Sequence, residues 1–544
     1  MNIKKILFIA LSGVLLLTGC GDKDTEDDEY LKVAYTGDIS TLDPAIIGFT
    51  SEMEVVNCCQ VGLFKADEDG TPTLAGASDY EVSEDGLTYT FHLRDMCWSN
   101  GDRVTAGDYV FGMRRAIVSD SAVAEYFAEP GFIKGAKEIL YEGADTDTLG
   151  VYAVDDDTLV IELEYPVAFL PSLLMVPSFY PVNEEFYNSL EEGLFATSPE
   201  TYLSDGPFVV ADYMPGTASI RLEKNENYYD ADNISLKGIK IQTVSSSDVA
   251  LSTYKIDQFD IITISADQAN KLSGDPVYSK EINEVAVGDL SFLVFNISSD
   301  VQNGALENLN FRKAVSCAID RTYLAKNVYN GAASELYGLV PEGFSSSLTT
   351  GEDFAVSSDK YKDEIADMNM ASEYFELAKK ELGKDKITLK LTTYSSLSNV
   401  VQAIKSMLEE NLDGLTVNIE IVPSSDIFST LKNGDFEMAY MNWVGDYADP
   451  SAYLSIFQNN GVCNYGGWYN AKYNDLLKEC STGKYATDYD KRWEALHEAE
   501  EILLEDMPLT PIVTSEKNYL IKSGISGFEY SPSTSAYFGN ISFN

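Results

Sequence analysis

The chain has 544 residues, which is too long for one compact core and indicates roughly two to four lobes. Apolar residues make up 45% of it and aromatic residues 12%, so most of the chain can bury enough surface to fold. Its 87 acidic and 38 basic side chains give a formal net charge of −49, which would repel phosphate backbones and excludes nucleic acid as an expected partner.

The N-terminus indicates an exported protein. Lys4 and Lys5 precede the apolar run ILFIALSGVLLL, which has the length of a signal-peptide core and is too short to cross a bilayer comfortably. The run ends in LTGC, which resembles a bacterial lipobox, whose cysteine takes lipid after cleavage. We expect residues 1–19 to be removed, Cys20 to carry the lipid anchor and residues 20–30 to form an acidic tether. The alternative is an ordinary secretory peptide with a nearby cysteine.

The cysteines beyond Cys20 follow neither a disulfide framework nor a metal-binding spacing. No CxxC pair occurs and the chain has 2 histidines, so we expect buried thiols, no metal and no cofactor. These cysteines are Cys58, Cys59, Cys97, Cys317, Cys463 and Cys480.

The first half of the chain is rich in strand patterns. KADEDGTPTL lacks an acid at the first position of a calcium loop and therefore predicts a hairpin turn. In TYTFHLR, residues 88–94, apolar and polar side chains alternate, which predicts a half-buried strand. An Asn-Gly turn follows at residues 100–101, and Thr105 with Asp108 matches the capping pattern that begins a helix.

From about residue 235 onward, strand and helix patterns alternate along the chain. SLKGIKIQTV and LSFLVFNIS are strand-like, and the apolar residues of NFRKAVSCAIDRTYLAKNVY recur at helical spacing, which predicts a helix capped by Asn310. ITLKLTTYS, NVVQAIKSMLEENLD and LTVNIEIVP then form a β-α-β pattern, which predicts parallel strands in an α/β sheet.

WVGDYADPS, residues 443–451, carries two acids after the predicted strand FEMAYMNW. Asp449 precedes Pro450 and an apolar run, which is the pattern of a helix cap, so we expect Asp449 to be structural. Asp446 follows a strand end, where α/β folds collect ligands, and is the candidate for chemistry; the alternative is a solvated loop acid. GxSxG, Walker and HExxH motifs are absent from the sequence, and no catalytic pair can be chosen among so many acids.

Several segments, in a fixed order, resemble the family-5 extracellular solute-binding proteins, which are the oligopeptide- and dipeptide-binding receptors of ABC importers. The resemblance extends from about residue 31 to the C-terminus, and its segments are STLDPA, TPTLAGASDYEVSEDGLTYTFHLRDMCWSNGDRVTAGDYV, SDGPF, LEKNENYYDAD, LNFRKAVSCAIDR and WVGDYADPS. It implies an α/β fold of the periplasmic-binding-protein type (class II), in which two lobes close like a clamshell and an extra third domain is inserted in the first lobe.

The resemblance also implies domain limits. The first lobe would comprise residues 31–75, 191–295 and 515–544, the extra domain residues 76–190 and the second lobe residues 296–514. The crossings between the lobes, near Phe295 and Val513, would act as the hinge.

In oligopeptide receptors of this family the acid of the W-x-x-D segment accepts the α-ammonium of the peptide, and Asp446 is the matching residue here. Trp443 would flank the first residue of the peptide, with core packing as the alternative. Where such receptors carry an arginine that helps to receive the ligand carboxylate, this chain has Tyr440, which leaves carboxylate capture and ligand length open. The groove that pairs with the peptide backbone as an added strand would be lined by Phe49, Thr50, Ser51, Asp205 and Gly206.

The resulting hypothesis is a binding protein without enzymatic activity. It would be a lipid-anchored monomer at the extracytoplasmic face of a bacterial cell membrane, and it would deliver oligopeptides to an ABC transporter permease. The alternatives are the same fold with an oligosaccharide or a metal chelate as its cargo, and a secreted hydrolase that uses some carboxylate pair.

Overall fold

The computed structural model describes residues 29–37, 39–67, 70–119, 121–129, 131–445, 447–532 and 534–544. The predictions for the signal peptide, for Cys20 and for Asp446 fall on residues outside this described part of the chain.

The β-strands follow in chain order. They are Tyr30–Tyr35 (β1), Phe64–Ala66 (β2), Pro72–Leu74 (β3), Ala77–Val82 (β4), Thr88–Leu93 (β5), Val151–Asp155 (β6), Thr158–Glu162 (β7), Phe208–Asp212 (β8), Ser219–Lys224 (β9), Gly238–Thr243 (β10), Ile261–Ile264 (β11), Ile282–Ala286 (β12), Asp289–Phe295 (β13), Ala333–Glu335 (β14), Ile387–Tyr394 (β15), Leu415–Val422 (β16), Met438–Val444 (β17), Leu509–Ile521 (β18), Ile525–Ser526 (β19), Glu529–Ser531 (β20), Ser535–Tyr537 (β21) and Ser542–Phe543 (β22).

The α-helices lie between these strands. They are Thr50–Cys59 (α1), Ala106–Ile117 (α2), Leu170–Leu173 (α3), Glu184–Ser189 (α4), Ser247–Tyr254 (α5), Ala266–Leu272 (α6), Val301–Gly304 (α7), Leu309–Cys317 (α8), Arg321–Tyr323 (α9), Lys362–Ile365 (α10), Met368–Leu382 (α11), Ser398–Asn411 (α12), Ile427–Lys432 (α13), Ser451–Leu454 (α14), Ala471–Ser481 (α15) and Tyr489–Asp506 (α16).

Within the described residues, twelve strands form one large sheet that runs through both lobes. Its order is β16-β15-β17-β13-β18-β11-β1-β10-β9-β8, and β12 and β14 also pair with β18. The first half of β18 pairs with β13 and β14, and its second half pairs with β12 and β11. Strand β18 therefore passes from the second lobe into the first without a break.

A second crossing between the lobes lies at Val287 and Gly288, the two residues between β12 and β13. A Cβ atom built on Gly288, where φ is +82°, would lie 2.7 Å from Cβ of Pro532 and 3.0 Å from a ring carbon of Phe344. Both the backbone conformation and the packing therefore require glycine at this crossing. The domain limits given above stay a prediction. Strand β13, which that prediction places at the end of the first lobe, pairs with β17 along its whole length and packs with the second lobe.

The second lobe packs helices on both faces of its part of the sheet. Strand β13 is buried along its whole length, and its alternate residues enter two different cores. One core contains Phe295 with the apolar faces of α8, α11 and α12, and the other contains Phe292 with α14, α15 and α16. The predicted β-α-β unit is confirmed, because β15 and β16 pair in parallel on either side of α12.

The first lobe is built around β1, β8–β11 and the end of β18. Leu31 and Val33 of β1 enter one core, and Ala34 enters a smaller core on the other face, which matches the period of two in a strand. Parallel pairing of β1 with β10 and β11, and antiparallel pairing of β11 with β18, join these strands to the crossing.

The extra domain consists of a separate four-stranded sheet, β4-β5-β7-β6, and helix α2. The strand predicted from TYTFHLR is β5, and its apolar residues are the buried ones. Helix α2 is capped as predicted: the backbone N–H of Thr105 donates to Oδ2 of Asp108 at 2.9 Å. The predicted hairpin in KADEDGTPTL is also confirmed, since β2 pairs antiparallel with β3.

The predicted cap of the helix that follows β13 is wrong by two residues. Helix α8 begins at Leu309, and the side chain of Asn308 accepts from the N–H of Phe311 at 2.9 Å. The amide of Asn310 instead donates to both carboxylate oxygens of Glu381 at 3.0 Å. The amide of Asn308 also donates to Glu381, at 2.8 Å. The two roles differ because Asn308 lies just before the first helical residue, whereas Asn310 lies inside the helix.

All six cysteines in the described part are thiols, as predicted, and Cys97 is the half-buried one while the others are buried. Across the described ranges, no helix combines the length and apolar character needed to cross a membrane.

Candidate ligand-binding site

The segment that contains Asp446 is described on both sides of that residue. Upstream, β17 lies between β13 and β15 and ends at Val444. A Cβ atom built on Gly445 would lie 2.5 Å from Cζ of Phe344 and 2.8 Å from Cε2 of Tyr453, which is closer than carbon atoms approach. Two aromatic rings therefore cover the backbone immediately before Asp446, and a side chain at residue 445 would displace them.

The hydroxyl of Tyr453 links this segment to the crossing between the lobes. It accepts from the backbone N–H of Gly445 at 3.2 Å and donates to the carbonyl oxygen of Gly288. Tyr453 is fully buried and packs edge-on against Phe344, with ring centroids 4.8 Å apart. The backbone at residue 445 is thus held against the crossing by one hydroxyl and two rings.

Downstream of Asp446, a buried ion pair fixes the chain. Nη1 and Nη2 of Arg492 each lie 2.7 Å from a carboxylate oxygen of Asp449, and both side chains are less than a tenth exposed. Burial alone would lower the pKa of Arg492, but the carboxylate of Asp449 outweighs it and holds that pKa above its ordinary value.

The structural role predicted for Asp449 is confirmed, but its place at the helix start differs. Helix α14 begins at Ser451 with Pro450 in the capping position, so Asp449 lies one residue further out than predicted. Its Oδ1 still accepts from the N–H of Ser451 at 2.9 Å. The main structural role of the carboxylate at position 449 is its ion pair with Arg492. Arg492 lies in α16, so the local sequence pattern could not reveal this partner.

Trp443 and Tyr447 stand on either side of Asp446 in the chain, and both line a cavity of about 450 Å³ between the second lobe and the extra domain. The indole N–H of Trp443 donates to the carbonyl oxygen of Ala452 at 3.1 Å. The ring of Tyr447 stacks on Phe169 of the extra domain, with centroids 4.1 Å apart and an interplanar angle of 18°. The extra domain therefore forms one wall of the candidate site.

Tyr440 lies on the other face of β17 from Trp443, because the two residues are three positions apart along the strand and successive side chains alternate between its faces. It is fully buried, and its hydroxyl lies 3.0 Å from that of Tyr329. Burial raises the pKa of Tyr440 well above its ordinary value, so the phenol is neutral. The structure does not bring Tyr440 and Trp443 into one pocket.

The candidates Phe49, Thr50 and Ser51 lie at the start of α1. Phe49 is 63% exposed, and its backbone N–H donates to Oε2 of Glu52 at 3.2 Å. The buried carboxylate of Glu52 also accepts from the N–H groups of Ser40 and of Gly48, at 2.9 and 3.0 Å. One acid therefore holds the whole turn before α1 in place.

Asp205 and Gly206 are buried in the first lobe next to the end of α1. Oδ1 of Asp205 accepts from the N–H of Val61 at 3.2 Å, and the N–H of Gly206 donates to the carbonyl oxygen of Cys59 at 2.9 Å. Burial raises the pKa of Asp205 well above its ordinary value. A Cβ atom on Gly206 would lie 2.7 Å from the backbone of Cys59, so these two segments touch directly.

Asp289 is a buried acid at the crossing that the sequence did not single out. Its carboxylate accepts from the backbone N–H of Ser515 at 2.5 Å and from the hydroxyl of Ser515 at 3.0 Å. Burial raises its pKa, and the bonds from Ser515 oppose that rise. Asp289 is the first residue of β13, and its side chain binds Ser515 of β18. It therefore links the two strand connections between the lobes to each other.

Sequence reasoning missed Phe169, Arg492 and Tyr453, although all three shape the surroundings of the candidate site. Only Tyr453 lies near WVGDYADPS in the sequence, and an aromatic residue in an apolar run gives no sign of a bond to Gly288. Among the described residues no group of acids, histidines and cysteines could hold a metal ion.

A two-lobed α/β chain, with two strand connections between its lobes and a cavity beside a strand end, defines the class of ligand-binding receptors with a periplasmic-binding-protein fold. The family model for bacterial extracellular solute-binding proteins, family 5 Middle, matches residues 71–464. The chain belongs to this family, which consists of substrate-binding proteins.

Known proteins resemble the chain over almost its whole length. A dipeptide-binding protein of Lactococcus lactis subsp. cremoris is 30% identical over 540 residues, which span 97% of this chain and 96% of that relative. The structure of Listeria monocytogenes OppA bound to peptide is 30% identical with a TM-score of 0.67, and the match covers 95% of this chain and 99% of that one. The substrate-binding domain of an oligopeptide ABC transporter from Bacillus anthracis str. Ames has the same identity and TM-score, with 95% and 98% covered.

Proposed function

We propose that this protein is an extracytoplasmic receptor that captures oligopeptides between its two lobes and delivers them to an ABC transporter permease. Within this proposal the carboxylate of Asp446 receives the α-ammonium of the peptide. The observation that carries it is the frame around residue 446, in which Tyr453 holds Gly445 and Arg492 holds Asp449. Relatives of nearly full length that are named for dipeptide and oligopeptide binding support the same cargo.

The physical basis is a charge-assisted hydrogen bond in a site that closes away from water. Such bonds contribute roughly 1.5 to 3 kcal/mol, more than neutral ones, because the ionised partners attract each other strongly where the dielectric is low. The remainder of the peptide is held by its backbone as an added strand, which makes binding tolerant of side-chain identity.

Calorimetric titration of the purified protein with a free tetrapeptide and with its N-acetylated form tests the proposed cargo. Acetylation removes the ammonium charge and leaves the rest of the peptide unchanged, so we expect the acetylated form to bind roughly 10- to 100-fold more weakly. Equal affinity for both forms would rule out recognition of the ammonium. Absence of binding to any member of a peptide panel would rule out peptide capture.

A non-peptide cargo is the second candidate, and Tyr440 is the observation that favours it. In oligopeptide receptors that this chain resembles, an arginine at this position helps to receive the ligand carboxylate. Here the position holds a buried, neutral phenol. Thermal unfolding against panels of oligosaccharides, metal chelates and peptides separates the candidates, because a ligand at 100 times its Kd adds about 2.7 kcal/mol of stability. The same incubations, followed by mass spectrometry, would reveal cleavage products if the protein were a hydrolase.

We further propose that Cys20 carries a lipid anchor that holds the receptor at the outer side of the membrane. Two or more acyl chains suffice for stable attachment even of a strongly acidic protein, since each buried methylene contributes about 0.8 kcal/mol. The variant Cys20→Ser should lose incorporation of labelled fatty acid and move from the membrane fraction to the soluble fraction. Retention of the label in Cys20→Ser would contradict the assignment.

A further inference from the structure

The outer strands of the two larger sheets are not all protected in the same way. Within the described residues, the twelve-stranded sheet ends in β16 and in β8, and the four-stranded sheet ends in β4 and in β6. Strands β4, β6 and β8 each skip one residue in the pairing with their neighbour, at Ser78, Val154 and Ala211. Such a bulge twists the edge of a strand, so a further strand pairs with it poorly.

Strand β16 is regular along its whole length. Its residues, Leu415–Val422, pair in parallel with β15 in one continuous register. The sequence LTVNIEIV is rich in valine and isoleucine, and Ile421 is 44% exposed. A long, regular and apolar outer strand is the type of edge to which another chain adds most readily.

Two side chains of α12 close part of this edge. The backbone N–H of Val417 donates to Oε1 of Glu409 at 2.8 Å, and Nζ of Lys405 donates to the carbonyl oxygen of Val417. Nζ of Lys405 also lies 3.0 Å from Oε1 of Glu409. A single ion pair therefore occupies both backbone hydrogen-bonding groups that Val417 directs away from β15.

The rest of the outer edge is open. The N–H and C=O groups of alternate residues point to the same side of a strand, so those of Ile419 and Ile421 point outward like those of Val417. Among the described residues, no strand lies beyond β16 in the sheet. Pro423, which has no N–H group, follows the strand and limits the open edge to Ile419 and Ile421.

A second copy of the same strand fits this edge. Two copies related by a two-fold axis at Ile419 would pair antiparallel, with Val417 opposite Ile421 and Asn418 opposite Glu420. Each glutamate would then face an amide of the other copy and not a second carboxylate. Because Lys405 and Glu409 occupy Val417, the pairs between Val417 and Ile421 cannot form, and only the pair at Ile419 is left.

We propose that the outer edge of β16 is a self-association surface for a second copy of this chain, and that the ion pair of Lys405 and Glu409 keeps it closed. The native chain is accordingly a monomer with a partner surface that can be uncovered. The proposal does not depend on the proposed function, because none of these residues belongs to the candidate ligand-binding site.

Sedimentation equilibrium of the purified mature protein tests the proposal. The double variant Lys405→Ala/Glu409→Ala removes both side chains that occupy Val417, adds no large apolar group and keeps good helix formers in α12. At about 0.15 M salt, which screens the acidic surface beyond about 8 Å, we expect the native protein to stay monomeric and the variant to form dimers. The recovered backbone bonds predict self-association at least about 10-fold tighter than in the native protein.

A control and a rescue separate strand pairing from a general effect of lost charge. The matched control is Lys472→Ala/Glu498→Ala, which removes an exposed ion pair between α15 and α16 and should stay monomeric. Addition of Ile421→Lys to the first double variant should restore the monomer, because a lysine on an edge strand would have to lose its water in the contact.

A folded Lys405→Ala/Glu409→Ala variant that stays as monomeric as the native protein would overturn the proposal. Dimers that persist after addition of Ile421→Lys, or that form equally in the control, would place the contact on another surface and overturn it as well. Amide hydrogen exchange of the native protein keeps the test valid if the double variant does not fold. The amide of Val417 should exchange at least about 10-fold more slowly than those of Ile419 and Ile421, and equal exchange rates would contradict the closure of the edge.

Discussion

Arg492 and Asp449 form a bidentate ion pair, with both nitrogen–oxygen distances at 2.7 Å, in the interior of the second lobe. The pair fixes the chain three residues after Asp446 and also lies beneath the wall of the cavity, since the guanidinium carbon of Arg492 is 6.0 Å from the ring centroid of Phe169. One of the two acids of WVGDYADPS therefore serves the structure, and the proposal assigns the other, Asp446, to the ligand.

Breaking this pair should destabilise the protein strongly. The variant Asp449→Asn leaves a buried guanidinium without its counter-charge, and we expect the free energy of unfolding to fall by roughly 3 to 5 kcal/mol. Urea unfolding measures the change. The neighbouring pair of Lys491 and Asp488 is exposed, so Lys491→Ala should cost less than about 1 kcal/mol. A loss as small in Asp449→Asn as in Lys491→Ala would contradict the role given to the pair.

Removal of the Tyr453 hydroxyl should affect both stability and binding. In Tyr453→Phe the N–H of Gly445 and the carbonyl oxygen of Gly288 lose their shared partner, and we expect a loss of about 1 to 3 kcal/mol in the free energy of unfolding. The affinity for peptide should fall as well, because the hydroxyl of Tyr453 no longer holds Gly445, and with it the segment before Asp446, against the crossing between the lobes.

The control for that experiment is Tyr473→Phe. Tyr473 is equally buried in the same core, and its hydroxyl donates to the carbonyl oxygen of Leu454 at 2.5 Å, away from Gly445. This variant should lose a similar amount of stability and keep its affinity for peptide. Equal losses of affinity in both variants would show that Tyr453 acts only through general stability.

The terminal carboxylate of the peptide should contribute little to binding through position 440. Tyr440 is a buried neutral phenol, so it offers no positive charge there. We expect C-terminal amidation of the peptide to change Kd by less than about 3-fold, whereas loss of a charge-assisted bond would change it by roughly 10-fold or more. A calorimetric difference of the larger size would show that another cation receives the carboxylate.

Glu500 should make stability depend on pH near neutrality. Burial raises the pKa of this carboxyl to about 7, although the backbone N–H of Leu339 donates to it at 2.7 Å. Because the folded protein binds the proton more tightly than the unfolded chain does, the contribution of Glu500 is fully present below its unfolded pKa and is lost as the pH rises through 7. The loss is on the order of 3 kcal/mol.

The variant Glu500→Gln isolates this effect, because the amide mimics the protonated acid at every pH. Urea unfolding at pH 5 and at pH 8 should show a smaller decline of stability in the variant than in the native protein. The two proteins should have similar stability at the lower pH, and the variant should be more stable at the higher one. Parallel pH profiles would contradict the burial effect assigned to Glu500.

Local patterns in the sequence predicted the regular elements because their causes are local. Strand β5 and the unit formed by β15, α12 and β16 follow from the spacing of apolar residues, and the start of α2 follows from two side chains three residues apart. The structure adds what depends on distant residues. Asn308 rather than Asn310 caps α8, because the helix begins at Leu309, and the side-chain amides of both asparagines donate to Glu381 of α11.

In the candidate site, too, the sequence reveals features with local causes and misses those that depend on distant residues. Trp443 is found from the sequence because it belongs to the same short segment as Asp446, whereas Tyr447, which directly follows Asp446, is not singled out there. Phe169 belongs to the extra domain, and Arg492 lies in α16, so neither gives a signal in the segment that it supports. Asp289 is one acid among 87, and only its burial at the crossing distinguishes it.

The central claim is that Asp446 receives the peptide ammonium. A thermodynamic cycle that combines one substitution in the protein with one modification of the peptide, measured by calorimetry, tests it most directly. Free and N-acetylated tetrapeptide are titrated into the native protein, into Asp446→Asn and into the control Asp435→Asn, which changes an exposed acid just before β17. We predict that Asp446→Asn loses roughly 2 to 4 kcal/mol of affinity for the free peptide and no longer distinguishes it from the acetylated one. If Asp446→Asn still prefers the free peptide as strongly as the native protein and Asp435→Asn do, another group receives the ammonium and the claim is wrong.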